Sequence, residues 1–290
     1  MCTSCGCDHN ETRVDGASVS ELSRDHAHSH SPAQTPGSDA PQKRKVQIEQ
    51  SLLLKNDLYA QKNRAQFAQH NIFALNLLSS PGSGKTTLLT TTLNALKNKL
   101  NLAVIVGDQE TENDAQRIRK TGVSAVQINT GKGCHLDALM VNHALQNLTF
   151  EEQGLVFIEN VGNLVCPAIF DLGEADKVVI LSVTEGEDKP LKYPDMFHAA
   201  DLLLLSKVDL LPYLAFDLQL CIKNAQKINP DIEIIPCSAT TGEGMQAWYQ
   251  WLEARRVQLL KERLLPLTNK IATIHKILPQ GLLSEGNNGR

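Results

Sequence analysis

Residues 79–87 read SSPGSGKTT. This nearly matches the phosphate-binding pattern G-x-x-x-x-G-K-[ST], with Ser79 at the lead position. Gly82, Ser83 and Gly84 let main-chain N–H groups curl around phosphate oxygens, because glycine reaches left-handed conformations without steric cost. Lys85 supplies the charge that neutralises the β- and γ-phosphates. The Thr86 hydroxyl can ligate Mg2+, and Thr87 continues the cradle.

A second stretch, SKVD at 206–209, selects the base. Guanine presents two donors, N1–H and N2–H2, on one edge, and the Asp209 carboxylate can accept both. Lys207 can lay its methylene stem along the ring. Ser206 stands where the common GTPase form NKxD has Asn. The SAT run at Ser238, Ala239 and Thr240 fits the main-chain loop that meets guanine. Order and spacing together point to GTP and GDP. Two acidic strand ends complete a magnesium site: Asp108 after VIVGD and Glu159 in FIENVGN. Asp108 is the candidate to orient the attacking water and help hold Mg2+, and Glu159 is the second supporting acid. Gly162 occupies the place of a glycine that senses the γ-phosphate.

The thiols form a separate chemistry. Cys2, Cys5 and Cys7 lie within the first seven residues. Cys134 and His135 are adjacent in TGKGCHLD, and Cys166 follows Glu159 by a few residues. Two thiols and an imidazole are a soft donor set, short of a closed tetrahedral shell. A second copy of the chain could complete it across a two-fold axis. Small core residues remain an alternative for Cys134 and Cys166. Cys221 and Cys237 read as core. His26, His28 and His30 form a short tract. His70, His143, His198 and His275 have no ligand-like neighbours.

These residues need a scaffold that brings loop ends together. Seven short apolar runs alternate with helical stretches. They are IFALNLLSS from Ile72, Leu102–Asp108, SAVQINT, Gly154–Gly162, KVVILSVT, DLLLLSKVD and IEIIPCSAT. The pattern predicts an α/β fold with a doubly wound, mostly parallel sheet covered on both faces. Residues 1–45 are polar and lack hydrophobic periodicity, so they read as a flexible arm. A helix is expected from Val46 to about Ala68, with Ile48, Leu52, Leu53, Tyr59 and Phe67 on one face. The catalytic domain is expected over 46–254, followed by a basic amphipathic extension at 255–290. There Val257, Leu260, Leu264 and Leu267 repeat at helical spacing, with Pro266 and Pro279 as interruptions. That extension reads as a surface helix or as a basic helix docking on an acidic partner.

Composition narrows the classes. The chain has 28 Lys+Arg against 32 Asp+Glu, a formal net charge of -4, which gives no case for general nucleic-acid binding. No apolar run reaches the ~18 residues of a membrane span, and no signal peptide is evident. A cytoplasmic protein with reduced thiols is expected, and seven cysteines favour metal or redox chemistry over a disulfide framework. A redox CxxC at the N-terminus lacks the βαβ context it would need.

SSPGSGKTT, VGDQET, NTGKGCHLD, ENVGNLVCP, SVTEGEDKPLKYP and SKVDLLPYL closely resemble the HypB family of hydrogenase-maturation GTPases over about residues 46–253. The resemblance implies a SIMIBI-class P-loop GTPase of slow intrinsic turnover that inserts nickel into [NiFe]-hydrogenase and works as a nucleotide- or metal-dependent homodimer. It implies a tight nickel site at Cys2, Cys5 and Cys7, and a weaker nickel or zinc site at Cys134, His135 and Cys166. Implied partners are a HypA-type nickel metallochaperone, the hydrogenase large-subunit precursor by an indirect route, and a metal-binding prolyl isomerase. Leu210 and Leu214 are candidates for an apolar dimer contact or for capping the core. Rival readings are the related nickel GTPase of urease assembly and a nickel store built on a GTPase fold.

Overall fold

The computed structural model describes residues 13–14, 17–18, 40–109, 112–149 and 152–277. Cys2, Cys5, Cys7, the His26/His28/His30 tract and Pro279 lie outside the described residues. The chain divides into two units, Met1–Trp248 and Tyr249–Arg290.

The first unit is built on one sheet. Its parallel strands are β3 (Phe73–Ser79), β4 (Leu102–Asp108), β5 (Ser124–Asn129), β6 (Leu155–Glu159), β7 (Asp176–Ser182), β8 (Leu202–Ser206) and β9 (Glu233–Pro236). They lie in the order β5-β4-β6-β3-β7-β8-β9. From β3 the sheet extends one way through β6, β4 and β5 and the other way through β7, β8 and β9. That is the doubly wound arrangement the apolar runs predict. β3 is buried at every position, and β6 likewise, which is why these runs are apolar apart from Asn76, Ser79 and Glu159 instead of alternating.

Two short strands extend the sheet where the sequence suggests no element. β1 (Arg13–Val14) pairs antiparallel with β5, Val14 opposite Ile128, and β2 (Ala17–Ser18) pairs with β1. Two-residue strands carry too little pattern to be read from a polar segment.

The first helix, α1 (Ala40–Gln69), begins earlier than the expected Val46. Its packed stripe also differs from expectation. Leu52 is exposed, whereas Asn56, Ala60, Asn63 and Phe67 are buried. The asparagines are buried because they bond main chain. Asn63 Nδ2 donates to the carbonyls of Ala138 and Leu172, and Asn56 Oδ1 accepts the Ala138 N–H. Gly173, at φ +90°, permits this approach, since a β-carbon there would lie 2.6 Å from the Ala60 carbonyl oxygen.

The remaining helices are α2 (Lys85–Leu96), α3 (Asn113–Arg119), α4 (Ala138–Asn147), α5 (Lys189–Lys192), α6 (Pro194–His198) and α7 (Leu218–Ile228). Asp137 caps α4 through Met140 N and Asp217 caps α7 through Leu220 N. One sheet face packs Ala74, Ile105 and Ile158 against Met140, Val141 and Phe67, and Val179, Leu181 and Leu205 against Phe197 and Cys221. The last helix, α8 (Met245–Ile277), starts in this unit, where the Trp248 indole donates to Thr92 Oγ1. The rest of α8 forms the described part of the second unit. It runs through Pro266 without a break, contrary to the expected interruption. Pro266 is exposed, so water can take the hydrogen bond that the missing N–H forgoes.

Candidate functional site

All the loops singled out by sequence emerge at the carboxyl ends of the parallel strands, where ligands of doubly wound sheets bind. The Gly-rich loop leaves β3 and enters α2. Gly82 and Gly84 both adopt positive φ, +75° and +91°, and Gly84 is the N-cap of α2. Lys85 therefore opens the helix, with the positive end of its dipole facing the loop.

Lys85 Nζ lies 3.1 Å from Glu159 Oε1 and donates to the Asn160 carbonyl at 2.6 Å. Thr86 Oγ1 donates to the same Glu159 oxygen at 2.6 Å. Glu159 is 1% exposed, and its other oxygen, Oε2, is buried with no hydrogen-bond partner. A buried carboxylate oxygen left without a donor costs free energy. A cation or its bound water would satisfy it, so the residues present fit a magnesium ion beside the phosphate loop. Asp108 sits on the neighbouring strand, two residues beyond Val106, which pairs with Glu159. Its Oδ1 accepts the Gln109 N–H at 2.7 Å.

Asp114 joins this group and was not singled out by sequence. Burial and the nearby Glu159 carboxylate hold its pKa above the ordinary value, opposed by the Thr86 hydroxyl and Lys85. Its position in the first turn of α3 resembles any N-terminal helix acid, so no spacing marks it. Glu185 is a second addition. Oε1 accepts the Ser182 N–H, and Oε2 accepts the Ser80 hydroxyl of the Gly-rich loop. Gly162 passes close to the same loop: a β-carbon there would be 3.1 Å from Pro81 N.

The SKVD stretch is fastened to the Gly-rich loop. Ser206 Oγ donates to the Ser83 carbonyl at 2.7 Å, and Lys207 Nζ donates to the Gly82 carbonyl at 2.7 Å. A hydroxyl at Ser206 thus supplies the tie to the loop. Asp209 Oδ1 and Ser83 Oγ are further buried oxygens with no partner. Ser238, fully buried, accepts the N–H groups of Thr240 and Thr241 through its hydroxyl. Val208 N donates to the Cys237 carbonyl, which seats this loop beside SKVD. Gly244 closes the turn. A β-carbon there would lie only 1.9 Å from the Pro236 carbonyl oxygen.

Cys134, His135 and Cys166 meet in space, with their ligand atoms all within 4.8 Å of one another. Cys134 Sγ and His135 Nδ1 are 3.6 Å apart. Ligands at ordinary metal–sulfur and metal–nitrogen distances around one tetrahedral ion sit roughly 3.3–3.8 Å apart, so the Cys134–His135 pair suits a shared ion and the wider group would draw in slightly around one. His135 is 4% exposed and stacks on Phe170 at 4.0 Å between centroids. Burial lowers its pKa, which keeps the imidazole neutral and able to ligate. Cys221 and Cys237 are fully buried. Burial pushes both thiols up to about 12, in keeping with core roles.

One residue links the two constellations. Asn160 follows Glu159 and is 1% exposed. Its carbonyl receives Lys85 Nζ, while its side-chain oxygen accepts the N–H of Leu136, the residue after His135, at 3.0 Å. Its amide donates to Asn76 Oδ1, and Asn76 donates to the buried Glu174. Leu210 is half-buried and Leu214 is exposed.

A doubly wound sheet with a Gly-rich loop, a helix N-terminus and a carboxylate aimed at the loop defines a P-loop nucleotide-binding protein. Residues 73–236 match the CobW/HypB/UreG nucleotide-binding domain family. The chain is 54% identical to the hydrogenase maturation factor HypB of Azotobacter vinelandii, covering 96% of this chain and all of that one. It is 51% identical to the Escherichia coli K12 protein of the same name, over 88% and 99% of the two chains. A crystal structure of HypB from Helicobacter pylori in complex with nickel superposes with a TM-score of 0.67 at 38% identity, covering 70% and 96%. The chain belongs to the HypB family. Among the described residues no helix is long and apolar enough to cross a membrane.

Proposed function

We propose that this chain is a GTP-hydrolysing nickel metallochaperone that delivers nickel during maturation of [NiFe]-hydrogenase. The observation that carries the reading is the shared strand end. Glu159 faces the phosphate loop, and its neighbour Asn160 holds the loop bearing His135. The names of the relatives and the nickel complex of the Helicobacter pylori protein support it.

In this reading Gly82, Ser83, Gly84, Lys85, Thr86 and Thr87 hold the phosphates. Asp209 and Lys207 read guanine, and Ser238 and Ala239 line the base loop. Thr86, Glu159 and Asp108 hold Mg2+, which when bound screens the phosphate charge that builds during transfer. Lys85 is held by Glu159 and the Asn160 carbonyl. To reach a phosphate it must give up those bonds, which frees Asn160 to shift the metal loop. Asp108 positions the attacking water, and Gly162 tracks the γ-phosphate. Turnover is slow, as befits a switch.

Cys134, His135 and Cys166 hold nickel or zinc, with the remaining positions filled by water or by a second copy. Exposed Val165 and Ile169 flank Cys166 and, with Leu210 and Leu214, suit contact with that copy. Cys2, Cys5 and Cys7 form the tight nickel site. The receiving partners are a HypA-type metallochaperone and, through it, the hydrogenase large-subunit precursor.

Phosphate release from GTP and ATP, with nickel stoichiometry, tests the proposal. GTP should be hydrolysed in preference to ATP, and Lys85→Ala should abolish turnover while leaving N-terminal nickel binding intact. A chain that binds many nickel ions and does not hydrolyse GTP is a store, and the proposal fails.

A further inference from the structure

The second unit carries a feature that the GTPase reading leaves unused. Along α8 the residues Val257, Leu260, Leu264, Leu267, Ile271 and Ile274 recur at alternating steps of three and four. This is the a/d repeat of a coiled coil, kept without a slip over about 26 Å of helix. The sequence pattern alone shows it to Leu267. The unbroken helix carries it two positions further, and Pro266 falls outside the stripe.

Val257 and Leu260 are half-buried, and from Leu264 onward the stripe is open. Leu264 is 60% exposed, Leu267 58%, Ile271 54% and Ile274 46%. Contiguous exposed aliphatic side chains of this size mark an interaction surface. Its edges are basic. With Leu264 at an a position, the flanking e and g positions hold Arg256, Lys261, Arg263, Thr268 and Lys270, none of them acidic. Two copies of this helix would set like charges against each other in parallel and antiparallel pairing alike, which opposes self-association. A broad lipid-facing surface is also disfavoured. Only Leu265 adds exposed aliphatic surface beside the stripe, lysine and arginine border it directly, and no Phe, Tyr or Trp follows Trp251 within α8.

We propose that this face of α8 is a docking surface for an acidic amphipathic helix of another protein, received as a two-stranded coiled coil. Leucine or isoleucine at the partner's a and d positions would cover the stripe. Glutamate or aspartate at its e and g positions would pair with Lys261, Arg263 and Lys270. The inference is independent of the nickel and GTP roles.

The test uses the full chain and two designed 21-residue peptides. Both carry leucine and isoleucine at a and d. One has glutamate at e and g, the other lysine. Fluorescence anisotropy should show saturable binding of the glutamate peptide, at least about tenfold tighter than the lysine peptide, with the difference shrinking at high salt. Leu264→Asp with Ile271→Asp should abolish binding. Because those side chains are exposed, helix content by circular dichroism should hold. Lys261→Glu with Lys270→Glu should reverse the peptide preference. Failure to bind either peptide, or equal binding of both, overturns the proposal. So does self-association lost in the Leu264→Asp, Ile271→Asp chain, which would make the occupant a second copy. Binding to anionic phosphatidylserine vesicles without peptide binding would assign the face to a membrane surface instead.

Discussion

Replacing Asn160 with alanine removes three hydrogen bonds at one buried point. The side-chain oxygen accepts the N–H groups of Leu136 at 3.0 Å and Val161 at 2.9 Å, and the amide donates to Asn76 Oδ1 at 3.3 Å. Leu136 is fully buried and Val161 is 8% exposed, so their stranded amides have little access to water. At about 1 kcal/mol net per bond, and more where a buried donor is left unpaired, the loss should total about 3–5 kcal/mol. Urea denaturation of the metal-free chain reads this directly. The same change releases the main chain next to His135. Outer-shell partners of metal ligands typically carry 10–100-fold in affinity. Nickel should therefore bind the Cys134/His135/Cys166 site at least about tenfold more weakly, measured with Cys2, Cys5 and Cys7 replaced by serine. Asn160→Asp is the sharper control. It keeps both acceptor bonds, so nickel affinity should be largely retained. It places a carboxylate where the side chain is 1% exposed, so its stability deficit should grow as pH rises above the aspartate range. If alanine costs less than about 1 kcal/mol, or leaves nickel affinity within twofold, Asn160 does not hold the metal loop and the reasoning fails.

Three further outcomes follow from the geometry. With Cys2, Cys5 and Cys7 replaced, an aromatic disulfide reagent at about pH 8 should modify Cys134 and Cys166 and spare Cys221 and Cys237, whose buried thiols are pushed up to about 12. Nickel should protect the reactive pair, and fast labelling of four thiols in the folded chain would contradict the burial. Asp209→Asn should raise the KM for GTP about 100-fold, in line with the loss of charge-assisted bonds, while xanthosine triphosphate becomes a substrate. An unchanged KM for GTP would remove Asp209 from base recognition. Burial raises the pKa of Glu174, with Lys177 opposing it. The folded chain thus holds this proton more tightly than the unfolded one. The stability from this group is full below the unfolded value and declines as pH rises through the folded value. Glu174→Gln should flatten that part of the pH profile in urea denaturation, and an identical slope would contradict it.

Much of this molecule is legible without coordinates, for identifiable reasons. Buried parallel strands must be largely apolar, so β3, β4 and β8 announce themselves. A phosphate loop needs glycine at Gly82 and Gly84, and the proposed guanine site needs an acid at Asp209. These constraints are local in sequence. The parts that escaped are those whose partners are distant in the chain. Asn76, Asn160 and Glu174 look like stray polar residues on or beside apolar strands until the fold brings them together. Asn56 and Asn63 look like the solvent side of α1, yet they satisfy main chain near residue 138. Asp114, in the first turn of α3, and Glu185, in the turn after β7, stand among other acids where no spacing singles them out. The two-residue β1 and β2 are too short for any periodicity. Pro266 misled in the other direction, because a helix exposed to water can tolerate a lost bond that a buried one cannot.

In the proposed function the nucleotide and metal sites communicate through the strand end at Glu159 and Asn160. Nickel titration of the reduced, metal-free chain, followed by thiolate-to-nickel absorption, tests it most directly when run with GDP and again with a non-hydrolysable GTP analogue. Nickel affinity at the Cys134/His135/Cys166 site should differ between the two states. Equal affinity and stoichiometry in both would show that nucleotide state does not control metal binding at equilibrium, and would contradict it.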